Sequence, residues 1–569
     1  MNYWYMEWTV EQDDDSADFI SARIINHDKP NYIKFFYSRD EVMDFFREQT
    51  DSNYIYVNNL QCAKYLFKDI LADNEWTKTL GDICFNIYKK DKPTDVPDKK
   101  KNRLVMQFRN FTKLENRDCD ITEMQRVIAK HEAFCKKIGA IPLTISMYMR
   151  KALRKANRSD RKYMRIFWRN KLTQYTYSMI HQAKHGGWCA LNPRWLEKIV
   201  MNVWHFDFRS HYPTQLRKHK FPMGKSFKTN DSLEKIIMQN EDYTYFVKIS
   251  FSSCKPKKDK ICMIKEDWIR TEKIRNEKRG VLYLTNIDLK WFLRHYMVCD
   301  LVIENQICIK NDYLPEAQIK VIDEAFIEKY KAKVELQLHK GTKEESWYQF
   351  LYEQAKVRLN SIYGEYAKDP LKYLDKDKTI AEGLKEFYKG RYNTVMYPVG
   401  VLVTVYARDE LFEFIELIGY NNVIYGDTDS LFFVGGQDIY DKVMAKNEEL
   451  AKTAPYAEYM GEKFYYDVFE FEEKVDFFKA LHSKCYATVK DGKFTSKIAG
   501  IPDEVDGVTR EMEIGGMLHF NPGMTFKICT PTVIEKCVGG YREKKLKEVV
   551  IGDEKAHGKL LKSLLVEAA

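Results

Sequence analysis

Apolar runs broken by single carboxylates set the pattern of this chain. Val423-Ile424-Tyr425 and Leu431-Phe432-Phe433-Val434 predict two buried strands, with Gly426-Asp427-Thr428-Asp429-Ser430 as the tight turn between them. Gly426 suits such a turn because it accepts backbone angles that a side chain penalises. The turn holds Asp427 and Asp429 together, and two anions this close call for a divalent cation. A second apolar run, Val203-Trp204-His205-Phe206, delivers Asp207 before the chain turns toward Pro213. Helical spacing follows. Glu316–Leu336 and Glu345–Ile362 predict an antiparallel helix pair. On its second member Lys356, Asn360 and Tyr363 fall at i, i+4 and i+7, on one face. Gly364 predicts a kink or a C-terminal cap. A cation, an amide and an aromatic ring in one row suit a triphosphate, a sugar and a base in turn.

Two stretches interrupt this pattern. Lys218–Leu314 carries alternating strands such as Tyr243–Phe251, and the charged, glycine-bearing stretch Lys368–Asn393 predicts a β-hairpin. Thr394–Gly400 with Tyr406-Ala407-Arg408 predicts a strand and then a helix. A chain of 569 residues exceeds one core, so three or more domains are expected, and 44% hydrophobic with 14% aromatic residues excludes a disordered protein. The net charge of +9 matters less than its distribution. From Met147 to Lys171 ten cations face one acid, Asp160, with Leu153, Tyr163 and Phe167 interleaved. That predicts a helical segment packed on one side and suited to phosphates on the other. Twelve cysteines without a C-x-x-C pair predict reduced thiols and no zinc site. No signal peptide or transmembrane run is visible, which predicts a cytoplasmic protein without a membrane partner.

Taken in order, Asp207-Phe208-Arg209-Ser210-His211-Tyr212-Pro213, Lys356 to Gly364 and Tyr425 to Ser430 resemble motifs A, B and C of family B DNA polymerases, D-x-x-S-L-Y-P, K-x-x-x-N-S-x-Y-G and Y-x-D-T-D-S. His211 departs from that pattern, standing where the family usually has Leu. His185-Gly186-Gly187-Trp188 resembles the Y-x-G-G linker with Lys184 in place of its Tyr, and Lys484-Cys485-Tyr486 resembles the K-x-Y motif. Segment order and spacing narrow the resemblance to the protein-primed replicases of small bacteriophages and linear plasmids. It implies an α/β multidomain right hand, with an antiparallel-sheet palm, helical fingers and a small thumb, preceded by an RNase H-like exonuclease-type domain. The implied boundaries are 1–172 for the exonuclease-like domain and 173–217 for the linker and first palm segment. Residues 218–314 would be terminal-protein region 1, 315–367 the fingers and 368–394 terminal-protein region 2. Residues 395–505 would complete the palm, and 506–569 would form the thumb and tail.

The resemblance also implies roles. Asp207 and Asp429 would bridge two Mg²⁺ ions, or Mn²⁺ in their place, with the Phe208 carbonyl as a further ligand and Asp427 as a weaker one. Lys356 would contact the triphosphate, helped by Lys331, Lys333 or Arg358. Asn360 and Tyr363 would shape the base-pair pocket, and Tyr212 would exclude a 2′-hydroxyl. Lys484, Tyr486, Gly186, Gly187, Ser210, Ser361, Gly364 and Thr428 would meet primer and template. Implied partners are primer-template DNA, dNTPs and a terminal protein that primes synthesis, the enzyme itself being a monomer. Region 1 would dock the priming protein, and region 2 would close round the template and confer strand displacement. Rival readings are a primer-independent polymerase and a degenerate DNA-binding homologue. Retention of Asp207, Lys356, Asn360, Tyr363 and Asp429 speaks against the second. Reverse transcriptases usually carry adjacent aspartates, unlike D-T-D here.

The N-terminal part departs most. Where the family places four metal-binding carboxylates, Glu7 alone matches, with Ala63, Arg109 and the pair Arg126 and Lys130 at the other positions. An inactive exonuclease follows, unless Asp13–Asp15 with Asp118 or Asp120 rebuild the site.

Overall fold

The structure, a computed structural model, describes residues 2–12, 17–29, 31–48, 53–57, 76–80, 84–89, 103–110, 124, 126–129, 144–372, 374, 377–389, 394–499, 516–523, 525–528 and 547–550. It divides into two compact units, one built on Met1–Lys151 and the other on Ala152–Ile528. In the first, β1 (Asn2–Gln12), β2 (Ala17–Asn26) and β3 (Ile33–Phe36) form an antiparallel meander, and β4 (Asn53–Val57) joins β1 in parallel. The hairpin of β5 (Trp76–Leu80) and β6 (Cys84–Lys89) and the strand β7 (Arg103–Asn110) complete the sheet, in the order β3-β2-β1-β4-β7-β6-β5. One face carries Trp4 against Phe45 and Phe46 of the helix Arg39–Glu48, edge-on at 5.4 and 5.7 Å.

In the second unit, β8 (Cys189–Leu191) and β9 (Val200–Phe208) open a sheet that the chain leaves and later completes. The first insertion follows. Its strands β10 (Lys220–Lys228), β11 (Tyr243–Phe251), β13 (Arg270–Ile274), β14 (Glu277–Thr285) and β16 (Val302–Tyr313) make a sheet ordered β10-β16-β11-β14-β13, with β12 (Ser253–Pro256) and β15 (Tyr296–Cys299) paired beside it. The expected strand Tyr243–Phe251 is its central member. The helices Glu316–Leu338 and Glu345–Tyr366 pack along each other as the antiparallel pair expected. Then β17 (Val423–Asp427), β18 (Ser430–Phe433), β21 (Phe469–His482), β22 (Cys485–Lys490) and β23 (Lys493–Ile498) close the first sheet. Its order is β23-β22-β21-β9-β18-β17-β8, antiparallel throughout. A small hairpin, β19 (Tyr456–Tyr459) and β20 (Glu462–Tyr465), lies between β18 and β21 in sequence.

The period of two along these strands explains their burial. Trp204, Phe206 and Phe208 of β9, with Leu431 and Phe433 of β18, face the core made with Leu411, Phe412 and Ile415 of the helix Tyr397–Ile418. Val203, Phe432 and Ile424 face a second cluster with Val475 and Phe478 of β21. Asp207 belongs to the second face, at its edge. The helix Tyr397–Ile418 is apolar on almost every side, as a helix buried between layers must be.

Several expectations are corrected. Lys368–Asn393 contains no hairpin among its described residues, but the helix Ile380–Lys389. The signal was local: Thr379 and Glu382 form a reciprocal cap, Thr379 N–H on Glu382 Oε2 at 2.8 Å and Glu382 N–H on Thr379 Oγ1 at 3.3 Å. Charge and glycine masked it, and Gly383 serves close packing, since a Cβ there would lie 2.5 Å from Leu374 and 2.9 Å from Leu371. Among the described residues 394–396 no strand precedes the helix at Tyr397, which has Pro398 in its first turn. Gly364 is not the cap; its helix runs through it to Tyr366, with Ala367 as the cap. The basic segment is two helices, Ile145–Ser159 and Arg161–Arg169, broken at Asp160, whose carboxylate accepts from Tyr163 N–H at 2.8 Å. Tyr163 and Phe167 are buried while Arg158, Arg161, Lys162 and Arg165 are exposed. Of the expected thumb, Val533–Ala569 lies outside the described residues except for 547–550. Among the described residues no helix is long and apolar enough to cross a membrane.

Gly400, in the first turns of the buried helix, lies against the carbonyl of Tyr366 and 2.7 Å, measured from an added Cβ, from Ala367 N. Backbone cannot step aside as a side chain can. Gly400→Ala is expected to cost about 3 kcal/mol, the upper end of overpacking, read as a lowered melting temperature; an unchanged melting curve would contradict this packing.

Candidate active site

Sheet register brings the carboxylates together. On β9, Asp207 stands opposite Ser430 of β18 on one side and Glu470 of β21 on the other. Asp427 pairs with Ser430 across the hairpin, so Thr428 and Asp429 form the turn. The turn is tied down by backbone: Thr428 N–H to Trp188 C=O at 2.7 Å, Asp429 N–H to Asp427 C=O at 2.7 Å, and Phe208 N–H to Asp429 C=O at 2.8 Å. Thr428 takes a left-handed φ of 68°, costly for a β-branched residue and found where surroundings force it. Gly426 is not the residue that bends. It lies in the strand, and a Cβ there would run into the ring of Trp188 and come within 3.0 Å of Leu431.

Electrostatics fit a cation. Burial, then the charge of Asp429 and that of Glu472, push the Asp207 carboxyl up to about 8, against the opposing pull of Lys356 and Lys329. Burial also raises Asp429, offset by His211 and increased by Asp427. Asp427 accepts from the Tyr425 hydroxyl at 3.2 Å and lies 3.6 Å from Lys484 Nζ. Among the described residues no three acidic, histidine or cysteine side chains converge as a closed metal cage. Two carboxylates with backbone oxygen and substrate phosphate are what Mg²⁺ accepts, so the residues present suit that ion.

The walls assemble from the remaining motifs. The Tyr212 ring packs on Tyr363, centroids 4.3 Å apart. A Cβ on Gly187 would lie 2.9 Å from the Tyr212 hydroxyl and 2.7 Å from Thr428, so glycine lets the linker close over the turn. The carbonyls of His185 and Gly186 accept from Arg408 at 2.9 and 2.5 Å, and Arg408 is fully buried against Asp288 of the first insertion at 2.8 Å. Lys356, Asn360 and Gly364 lie exposed along one line of their helix, and an added Cβ on Gly364 meets nothing within 4 Å. Ser361 Oγ donates to the Arg358 carbonyl at 2.8 Å. Arg358 is buried with Glu328 at 2.8 Å, two residues round the helix from Lys356. Tyr486 packs its ring on Tyr425, Phe432 and Phe478 at 5.2 to 5.3 Å, beneath the hairpin.

Two residues were missed. Lys329 is buried, donates to Ser210 Oγ at 2.8 Å and is lowered to about 8 by burial and by Lys356, Lys333 and Arg209. Ser210, itself at φ 53°, starts the helix His211–Lys218. Lys329, whose charge acts on Asp207, and Lys333, whose charge acts on Glu470 and Glu472, are i, i+4 on one face, while Lys331 reaches the Tyr459 ring at 5.3 Å. That spacing was the available signal. Arg209, paired with Glu470 at 2.8 Å, was also unforeseen.

In the first unit Tyr5, Tyr56 and Arg109 stand side by side across β1, β4 and β7, all buried. Arg109 donates to the Tyr56 hydroxyl at 3.0 Å and Gln107 Oε1 at 2.7 Å, and its guanidinium lies 4.1 Å from the centre of the Tyr54 ring. Glu7 is paired with Arg23 at 2.5 Å. Ala63, Lys130, Asp13–Asp15, Asp118 and Asp120 lie outside the described residues.

Residues 26–397 match the profile of DNA polymerase type B, organellar and viral. The DNA polymerase of Bacillus phage Nf is 25% identical over 380 residues, 61% of this chain and 59% of that protein. That of Streptococcus phage Cp-1 is 30% identical over 244 residues, 40% of this chain and 38% of that protein. The chain thus spans about six tenths of the length of the phage Nf enzyme it matches. The structure of phi29 DNA polymerase complexed with primer-template DNA superposes with a TM-score of 0.67 at 18% identity, covering 97% of this chain and 100% of that one. The complex that also holds incoming nucleotides gives 0.67 at 17% identity, with 97% and 99% covered. The structural likenesses show the right-hand polymerase fold expected.

The raised Asp207 carboxyl has a consequence for stability. The folded protein keeps a proton there that the unfolded chain releases near the ordinary aspartate value, so stability falls as pH rises from about 4 toward about 8. In metal-free buffer, the melting temperature of the wild type should therefore fall more between pH 5 and pH 8 than that of Asp207→Asn. Parallel curves would mean that this carboxylate is ionised throughout.

Proposed function

Because the chain belongs to the organellar and viral type B DNA polymerases, we propose that it copies a DNA template by moving deoxynucleotides from their triphosphates onto a 3′-hydroxyl. The observation that carries this is the register that sets Asp207 beside a turn whose Asp429 carbonyl is held by Phe208 N–H, with both carboxyls raised by burial and by neighbouring carboxylates. In the reaction the 3′-oxygen forms a bond to the α-phosphorus, the α–β anhydride bond breaks, and pyrophosphate leaves. Two Mg²⁺ ions, or Mn²⁺, would lower the pKa of the attacking hydroxyl and neutralise the leaving group. Asp207, Asp429 and the Phe208 carbonyl would hold them, with Asp427 at the margin. Lys356 and Lys329 place positive charge toward the triphosphate. Asn360 and Tyr363 bound the base pair, and Tyr212 opposes a 2′-hydroxyl by its bulk. Lys484 sits near enough to Asp427 to meet a primer phosphate.

The resemblance to phage replicases supports protein priming by a monomer in a bacterial cytoplasm. A terminal protein would dock on the first insertion, and the segment holding the helix Ile380–Lys389 would close round the template for strand displacement. The buried Arg109 and the paired Glu7 support an exonuclease domain that no longer cleaves.

Asp429→Asn should abolish primer extension while leaving DNA affinity nearly intact, because a ligand is lost but no binding surface. Extension at the wild-type rate would refute the assignment. The wild type, given Mg²⁺ and a 3′-mismatched, end-labelled single strand without nucleotides, should leave its length unchanged. Stepwise shortening that vanishes when Asp13–Asp15 are replaced would show a rebuilt nuclease site.

A further inference from the structure

His211 is buried one position before Tyr212, and its surroundings exceed what an apolar side chain such as leucine needs. The ring lies flat on Phe208, centroids 4.1 Å apart at 11°, and is 2% exposed. Nε2 donates to Glu410 Oε2 at 3.2 Å, while Nδ1 has no hydrogen-bond partner among the described residues. Glu410 is therefore the ring's one polar anchor there. The same carboxylate accepts from Gln215 Nε2 at 2.6 Å and from Lys218 Nζ at 3.0 Å. His211, Gln215 and Lys218 follow at i, i+4 and i+7, one face of the helix His211–Lys218. Three side chains thus bolt that helix to a single carboxylate on the helix Tyr397–Ile418. Lys218 also meets Asp467 Oδ2 at 2.6 Å. Burial and the neighbouring Glu410 push the Asp467 carboxyl up to about 8, and Glu410 is held well below the usual range, so Asp467 carries the proton and Glu410 the charge.

What this helix carries is Tyr212, the residue after His211, whose ring packs on Tyr363. Phe208, beneath the His211 ring, holds the Asp429 carbonyl through its N–H. A rotation of the helix would move the sugar wall relative to the carboxylate turn.

We infer that His211 is a positioning residue for the sugar pocket: through Glu410 it fixes the rotation of the His211–Lys218 helix and hence the ring of Tyr212, so that exclusion of ribonucleotides depends on a buried carboxylate that never meets substrate. The inference rests on the polymerase reading above. Leucine would fill the space over Phe208 but leave the Glu410 contact unmade, and glutamine would restore the donor.

The test is single-nucleotide primer extension with matched dNTP and rNTP, on wild type, His211→Leu, His211→Gln and Gln215→Leu, with melting curves for each. His211→Leu should lower the deoxy-over-ribo ratio of kcat/KM by about tenfold or more, through a lower KM for the ribonucleotide, with kcat for the deoxynucleotide little changed. His211→Gln should stay close to wild type. Gln215→Leu, which removes another bond to the same carboxylate, should shift the ratio in the direction of His211→Leu and serves if that variant does not fold. An unchanged ratio in the folded leucine variants overturns the inference alone. A wild type that extends no primer removes the polymerase reading, and the inference with it.

Discussion

Repulsion between two half-buried carboxylates is the constraint on which the second unit turns. Asp207 and Asp429 would separate if either stood on a free loop. They do not, because β9 lies between β18 and β21 and each neighbour fixes its register. The energy to hold them comes from the aromatic and aliphatic packing behind the sheet, with Phe206, Phe208, Phe433 and Phe469 in one cluster. Cations surround the pair on the helices, Lys356 and Lys329 among them, yet both carboxyls remain raised. The protein thus stores an unmet demand for positive charge at one place.

Much of this was legible in the chain because it rested on local periodicity. Unbroken apolar runs exposed β9, β17 and β18, and 3.6-residue spacing exposed the helix with Lys356, Asn360 and Tyr363. Where the reading failed, long-range packing decided. Gly426 looks like a turn glycine, but the residue it must avoid is Trp188, more than two hundred positions away, and the left-handed residue is Thr428. Gly364 looks like a helix end and lies within a helix. Lys329 is one of three lysines on alternate positions, and only the docking of its helix on Ser210 selects it. The helix Ile380–Lys389 is the instructive exception, since its Thr379–Glu382 cap was in the sequence and was outweighed by composition.

The first unit shows a different relation between sequence and site. Its sheet persists with Tyr5, Tyr56 and Arg109 in a row, and the guanidinium donates to the Tyr56 hydroxyl and to the Gln107 side-chain amide. Hydrogen bonds to a neighbouring strand and within its own strand thus help to hold a buried cation inside the sheet.

The ion pair of Arg408 and Asp288 carries one more consequence. The base belongs to the helix behind the sheet and also grips the carbonyls of His185 and Gly186; the acid belongs to the first insertion. An insertion is commonly regarded as a detachable module, free to be exchanged or trimmed as lineages diverge. Here, excising it would strand a fully buried guanidinium, so the insertion and the palm are bound to evolve together, and a graft from a relative must bring its own acid to that position.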